Sequence, residues 1–406
     1  MYRARVATAD VPHSARHWAE LDLLRALAGA LMVVNHAGVA WLPDHGERGG
    51  LDGALTFVGS LAPVLFFTVT GIGRGIQSAP GGASRPFRAP LLTAFILTLA
   101  DATLWLSPTR HLGMDFLGFI ALSTVVVEIV NRTRWPAAVA AVSALVCLLL
   151  RYVVAPRVGL RLGTGVAAQG LNLLVGKTAL IATSYPICPW LAYPLFGSLV
   201  GRFAARHADR IRATRGRCAS VLAVTAAVGL GLCVVMYQHH ATFFRWGAMS
   251  FAYCILGFAA VLAGISLVLA VVRGASAGAI GALSLPGLAS FVLVPVHYAV
   301  IAGLHPESLM RPGVTFPLAL LVLVPVVFGA SRWIDRRMKA LASHRRPLST
   351  VILLTTTVAL LFQIARADGP LPLRLVTQLL ACGLFAFLSP RRASRMPTPL
   401  PSNQVV

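Results

Sequence analysis

The residues best able to do chemistry lie near the start of the chain, in an otherwise apolar run. Asp22 and Arg25 are three residues apart, and His36 follows Arg25 after ten more residues. In a helix Asp22 and Arg25 share a face, and His36 lies about 16 Å further along, on much the same face, at 1.5 Å per residue. Charge inside a membrane helix is costly and usually functional. We therefore predict an acid, a guanidinium and an imidazole along one stripe, unless Arg25 is only an interfacial anchor and His36 a packed polar residue.

Other polar residues interrupt or border later apolar runs. His45 lies in a predicted outer loop, and we predict His297, near the outer end of a later run, as a second polar wall. A solvated loop histidine and a packed histidine are the ordinary alternatives. Asp101 lies in the middle of an apolar run, where it could pair with an arginine or take part in proton transfer; we favour the pairing. No Cys or His spacing is typical of a metal site, so we expect no metal.

The composition predicts that helices crossing a membrane carry these residues. The 406 residues are 57% hydrophobic and only 12% charged, and the mean hydropathy is +0.77; soluble domains carry about 25% charged residues. The apolar runs are long enough for about 30 Å of hydrocarbon and do not alternate with polar residues, which favours helices over a barrel. We predict an all-α polytopic transmembrane bundle with about 10–12 spans.

Twelve apolar runs are candidate spans. They are Leu23–Leu42, Ala54–Gly73, Ala89–Leu106, Phe116–Val130, Pro136–Val154, Pro186–Val200, Val221–Tyr237, Ala248–Val272, Leu283–Gly303, Phe316–Gly329, Thr350–Ile364 and Leu371–Leu388.

The net charge of +22 is distributed between the spans. Basic residues gather in every second connection, including 202–217 and 332–346, as is typical of cytoplasmic loops facing anionic lipid. We predict a multi-pass protein of the cell membrane with both termini cytoplasmic. No nucleic-acid motif accompanies the charge, which excludes a nucleic-acid partner.

The same pattern divides the chain into four parts. Residues 1–20 form a cytoplasmic N-terminal segment and 21–330 the transmembrane domain. Residues 331–390 hold a basic cytoplasmic loop and two C-terminal spans. Residues 391–406, rich in Pro and Ser, form a tail expected to be disordered.

Asp22-Leu-Leu-Arg25, followed by His36, resembles the first helix of transmembrane acyltransferases. Family-three membrane acyltransferases mark that helix with Arg, ten residues and His. The heparan-α-glucosaminide N-acetyltransferase-like branch opens with Asp-x-x-Arg-Gly, where this chain has Ala26. Four later segments resemble further helices of that branch in the same order, although the second of them lacks the branch's histidine. They are 62–71, 114–123, 185–202 and 283–297.

The resemblance implies an enzyme that takes an acyl group from cytoplasmic acyl-CoA. It would place that group on a hydroxyl or amine of an envelope glycan or glycolipid. His36 would be the base, with Asp22 and Arg25 ordering the cytoplasmic mouth. His45 stands where heparan-type enzymes carry a proposed catalytic histidine.

The resemblance also suggests binding residues. Arg25, Arg85 and Arg88 would contact the CoA phosphates, which suit the planar guanidinium group. The alternative for Arg85 and Arg88 is that they belong to a basic loop that only sets the membrane topology. The resemblance also implies that His297, Trp190 and Tyr193 contact the substrate. Trp190 and Tyr193 belong to a Tyr-Pro-x-x-Pro-Trp-x-x-Tyr stretch.

Two further classes of function stay open. One is a transporter or flippase for a lipid-linked sugar, which should be built from repeated halves; we find no clear internal repeat. The other is a non-catalytic membrane scaffold, which should tolerate the loss of His36.

Overall fold

The structure, a computed structural model, describes residues 18–42, 50–79, 86–105, 115–157, 166–176, 185–243, 249–304, 313–344, 352, 355 and 371–388. Within these residues every regular element is a helix, which confirms the all-α prediction. His45, Arg85, the N-terminal residues 1–17, most of Thr350–Ile364 and the tail 391–406 lie outside the described residues.

The described helices are numbered here in chain order. They are α1 (Ala19–Trp41), α2 (Leu51–Gly59), α3 (Ala62–Gln77), α4 (Arg88–Trp105), α5 (Phe116–Asn131), α6 (Pro136–Leu149), which continues through a π-helical turn (Leu150–Val154) into α7 (Ala155–Arg157), α8 (Val166–Val175), α9 (Ile187–Trp190), α10 (Ala192–Arg206), α11 (Ala208–Ala213), α12 (Arg215–Gln238), α13 (Phe251–Gly274), α14 (Ala277–Leu283), α15 (Gly287–Leu304), α16 (Thr315–His344) and α17 (Leu371–Leu388).

Seven stretches of the described chain are long and apolar enough to cross a membrane. They are Ala19–Trp41, Leu51–Gln77, Pro136–Arg157, Arg215–Gln238, Phe251–Gly274, Ala277–Leu304 and Thr315–Leu341. The helices α5 and α17 are apolar but shorter. The polytopic prediction is therefore confirmed, and every predicted span except Thr350–Ile364 falls on a described helix.

Helix α16 extends beyond the predicted end of the transmembrane domain. We expected the transmembrane domain to end at residue 330 and a basic loop to follow. Instead α16 continues as one helix to His344. An ion pair four residues apart stabilises the basic end of this helix: Lys339 Nζ lies 2.7 Å from Asp335 Oδ2.

Helices α3 and α10 pack backbone against backbone. Gly71 and Gly75 on α3 face Gly197 and Gly201 on α10, with four-residue spacing in both helices. A Cβ atom added at Gly71 would lie 2.0 Å from the carbonyl oxygen of Pro194. Small residues at this spacing let membrane helices approach closely. The four glycines therefore bring the backbones of α3 and α10 into direct contact.

Helix α15 lies beside α1 and runs parallel to it. Near the start of α1, the N–H of Leu285 donates to the carbonyl of Asp22 at 3.0 Å. Near its end, Trp41 Nε1 donates to the carbonyl of Ile301 at 3.2 Å. These two contacts bring the middle of α15 to the level of the second half of α1.

The end of the bundle where α1 begins and α3 ends carries most of the basic residues; we call it the basic end and the other end the distal end. A Cβ added at Gly73 of α3 would lie 3.7 Å from Arg25 Nη2 of α1, which shows the antiparallel arrangement. Among described residues the basic end holds Arg25, Arg74, Arg88, Arg132, Arg134, Arg202, Arg206, Arg210, Arg212, Arg215, Arg217, Arg273, Arg332, Arg336, Arg337 and Lys339. Arg151, Arg157 and Arg374 lie toward the distal end.

Candidate functional site

Two histidines meet in the distal half of the bundle. His36 on α1 and His297 on α15 approach with 2.6 Å between Nδ1 of His36 and Nε2 of His297. Their rings are stacked, with 4.9 Å between centroids, and the ring of Tyr298 stacks on His36 at the same centroid distance. The structure thus joins the predicted base to the residue predicted as a polar wall.

The hydrogen bonds around His297 determine which nitrogen of His36 carries a proton. Nδ1 of His297 lies 2.9 Å from the carbonyl oxygen of Leu293. A carbonyl oxygen only accepts, so Nδ1 of His297 is the donor, and in the neutral ring its Nε2 is the acceptor. His36 therefore donates through Nδ1, and its own Nε2 keeps a free lone pair. A general base needs such a lone pair.

The two histidines line a cavity of about 160 Å³, which we call the histidine chamber. Helices α1, α3, α4, α5 and α15 supply most of its walls. Its other polar lining side chains are Asn35, Asp101, Asp115, Tyr185 and Tyr298. Tyr185 and Tyr298, which our sequence predictions missed, add two phenol groups to the chamber.

Asp101 holds one wall of this chamber in place. Its Oδ2 accepts from the backbone N–H of Asp115 at 3.2 Å, and its Oδ1 accepts from that of Leu117 at 3.1 Å. We expected an arginine as its partner; in the described structure its partners are backbone N–H groups at the start of α5. A carboxylate at a helix N-terminus is stabilised by these donors and by the helix dipole. Asp101 therefore joins the distal end of α4 to the start of α5.

A second, larger cavity of about 1200 Å³ lies toward the basic end; we call it the large cavity. Three arginines from three helices line it: Arg25, Arg74 and Arg88. Arg25 Nη1 lies 2.5 Å from Asp22 Oδ1, which confirms that these two residues share a helix face. Arg88 is exposed.

The middle of the large cavity combines apolar side chains with hydroxyls. Its apolar walls include Phe66, Val69, Leu92, Phe95 and Phe291. The hydroxyls belong to Thr70, Thr93, Thr124 and Ser290.

Three of those hydroxyls already donate within their own helices. Thr70 Oγ1, Thr93 Oγ1 and Ser290 Oγ donate to backbone carbonyls at distances of 2.9, 3.0 and 2.7 Å. Their oxygen lone pairs remain able to accept a hydrogen bond from a ligand.

The large cavity and the histidine chamber adjoin. Phe116, Leu117 and Val294 line both of them. The arginines at the basic end and the two histidines therefore lie on opposite sides of these three side chains.

Trp190 and Tyr193, which we predicted to contact substrate, lie in the core beside the two cavities. Both are fully buried, and neither is among the described residues that line the two cavities. Trp190 packs against Phe67 and Tyr185, with ring centroids 5.7 and 5.0 Å away. The hydroxyl of Tyr193 donates to the carbonyl of Cys254 at 3.1 Å. Both side chains therefore support the wall that holds Tyr185.

Among the described residues, no group of three or more His, Cys, Asp or Glu side chains is placed to hold a metal ion. The positions of Arg85 and His45 in the predicted donor and acceptor sites are not tested, since both fall outside the described ranges. Arg74, which we did not predict as a site residue, lines the large cavity instead. Its sequence signal is weak, because it resembles any basic residue at the end of a span.

One comparison with known proteins identifies relatives. A family model described as "Heparan-alpha-glucosaminide N-acetyltransferase, catalytic" matches residues 16–240, which is more than half of the chain. No curated protein and no solved structure matches. The matched segment includes His36 and the three arginines of the large cavity, whereas His297 lies beyond it.

Proposed function

Because the chain belongs to the heparan-α-glucosaminide N-acetyltransferase catalytic family, we propose that it transfers an acyl group, in the first instance acetyl, from acyl-CoA to a hydroxyl or amine. The acceptor in this proposal is an envelope glycan or glycolipid. One observation carries the proposal: a cavity lined by arginines at the basic end adjoins a chamber that holds a histidine with a free lone pair.

The donor would bind in the large cavity. Arg25, Arg74 and Arg88 would contact the CoA phosphates, because a guanidinium presents several donors in a planar fork. The pantetheine arm carries amide N–H groups, for which the threonine and serine hydroxyls along the cavity offer acceptors. This arrangement brings the thioester to Phe116 and Val294, next to His36.

The orientation of the protein is part of the proposal. The basic end would face the cytoplasm, because Lys and Arg accumulate in cytoplasmic segments. Acyl-CoA would enter from that side, and the acceptor would reach the histidine chamber from the distal side. Both termini would then be cytoplasmic, in the cell membrane.

The chemistry is a direct acyl transfer. Nε2 of His36 removes the proton from the attacking hydroxyl or amine while the new C–O or C–N bond forms at the thioester carbonyl. The C–S bond breaks, and the resulting imidazolium returns the proton to the CoA sulfur, so that free CoA leaves. His297 holds the His36 ring by accepting from Nδ1 throughout.

The test is transfer of label from radiolabelled acetyl-CoA by the purified protein, offered a panel of glycans and glycolipids as acceptors. We expect one acceptor class to gain label, and His36→Gln to abolish the transfer. Absence of both transfer and thioester cleavage with every acceptor, in a folded protein, would contradict the proposal. Movement of a lipid-linked sugar across liposomes without any acylation would support the flippase alternative.

A further inference from the structure

The large cavity and the histidine chamber differ greatly in volume and share one wall. The large cavity has a volume of about 1200 Å³, and the histidine chamber about 160 Å³. Among the residues that the structure describes, Phe116, Leu117 and Val294 alone line both. Any donor that reaches His36 from the basic end has to pass these three side chains.

The histidine chamber leaves little room for the acyl group. One water molecule has a share of about 30 Å³ in the liquid, so the chamber has the volume of a few waters. It also has to admit the reacting group of the acceptor. Bulky side chains close it, including Met32, Tyr185 and Tyr298. A long hydrocarbon chain therefore does not fit beside the acceptor in this space.

Neighbouring side chains hold Phe116 in this wall. The ring of Phe116 packs against Phe66 and Phe67, with centroids 5.3 and 5.7 Å away. Its helix begins where Asp101 accepts the N–H groups of Asp115 and Leu117. Close-packed side chains in such surroundings resist displacement.

Val294 belongs to the helix that carries His297. It is buried on α15, three residues before that histidine. The wall is therefore anchored on α5 from one side and on α15 from the other.

We propose that Phe116, Leu117 and Val294 determine the length of the acyl group that the protein transfers, and restrict it to acetyl and its nearest homologues. This inference rests on the proposed function. The three residues act as specificity determinants by excluding extra methylene groups from the space next to His36.

The experiment compares kcat/KM for acetyl-, butyryl- and octanoyl-CoA in Val294→Ala and in a matched control, Val292→Ala. Val292 is fully buried on the same helix but is not among the residues lining either cavity. One methylene group in an apolar pocket changes kcat/KM by about 10-fold or more. We expect wild type to prefer acetyl over butyryl by at least about 10-fold, and Val294→Ala to reduce this preference by about 10-fold.

The control should keep the wild-type preference even if it loses some stability. Phe116→Leu provides a second test, because it shortens the other side of the wall while keeping an apolar residue. Equal use of octanoyl- and acetyl-CoA by wild type would overturn the inference. So would the same change of preference in Val292→Ala as in Val294→Ala.

Failure of this inference is distinguishable from failure of the proposed function. Acetyl transfer with unchanged chain-length preference in both wall variants would remove only the role of the wall. No transfer from any acyl-CoA in folded wild-type protein would remove the proposed function, and the wall's role with it.

Discussion

Nδ1 of His36 lies 2.6 Å from Nε2 of His297, although the two residues are 261 positions apart in the chain. The contact gives them unequal roles. His297 is fixed as the acceptor by its own donation to Leu293, so His36 presents its free nitrogen. Only one imidazole of the pair is therefore available to take a proton from an acceptor.

Removal of the His36 imidazole should stop the chemistry while leaving the donor bound. We expect His36→Ala to lower turnover by about 10² to 10⁴, with CoA affinity nearly unchanged, because the arginines of the large cavity are intact. Steady-state transfer and CoA binding measured on the same preparation check this. His45→Ala should be mild; the reverse pattern would move the base to that residue.

The partner histidine should matter through its acceptor nitrogen. We expect His297→Ala to lower turnover on the order of 10², because His36 loses the group that orients its ring. His297→Gln should retain more activity than His297→Ala, because the amide oxygen of Gln accepts from Nδ1 of His36. Turnover of both variants, compared at equal thermal stability, checks the difference. Equal loss in both would contradict a role based on hydrogen-bond acceptance.

Charge removal in the large cavity should weaken donor binding more than folding. A hydrogen bond to a charged group contributes about 1.5–3 kcal/mol, so we expect Arg88→Ala and Arg25→Ala each to raise the CoA dissociation constant about tenfold or more. We expect the same of Arg85→Ala. Titration calorimetry with CoA checks these values.

The matched control for this experiment is Arg134→Ala. Arg134 is exposed near the same end of the bundle and is not among the residues that line the large cavity. Its removal should leave CoA affinity unchanged at physiological salt. If all the variants bind CoA equally, these arginines only set the topology.

Orientation is open to direct labelling. We expect a cysteine introduced as Arg210→Cys, between α10 and α12, to resist an impermeant maleimide added outside intact cells. His239→Cys, after the distal end of α12, should react, because both positions are exposed in the structure. A protein with Cys218→Ser measures the background. Labelling of Arg210→Cys from outside would reverse the orientation and the proposed side of donor entry.

The backbone contact between α3 and α10 should make the stability of the protein sensitive to one added methyl group. We expect Gly71→Ala to destabilise the protein by about 1–3 kcal/mol, because its Cβ would lie 2.0 Å from the carbonyl oxygen of Pro194. Gly231→Ala is the matched control, since no heavy atom lies within 4 Å of its added Cβ. Unfolding midpoints in the same detergent compare the two. Similar midpoints would show that α3 and α10 have room to separate.

The sequence predicted the part of the site that lies on one helix. Regular spacing alone put Asp22 and Arg25 on one face, and the structure joins them at 2.5 Å. His36 could likewise be placed three turns away. The apolar runs predicted the helices, since length and hydropathy decide which segments can cross a bilayer.

Contacts between distant helices were harder to predict. Nothing local indicates that His297 touches His36, or that Tyr298 stacks on it. Trp190 and Tyr193 were assigned to substrate from a motif, and a motif alone does not tell a cavity wall from the core, in which both side chains are buried. Asp101 was expected to pair with a side chain, whereas its partners are backbone groups beyond a connection.

The glycine contacts between α3 and α10 also have a consequence for which helices can move. Two helices in backbone contact cannot slide or tilt without a clash, so they form a stationary frame. On the other side of the large cavity, α17 meets its neighbours through side chains: Phe385 packs on Phe291, and Gln378 donates to the carbonyl of Ala100. Side chains can change rotamer and yield. We therefore expect α17, rather than α3 or α10, to move when a ligand enters the large cavity.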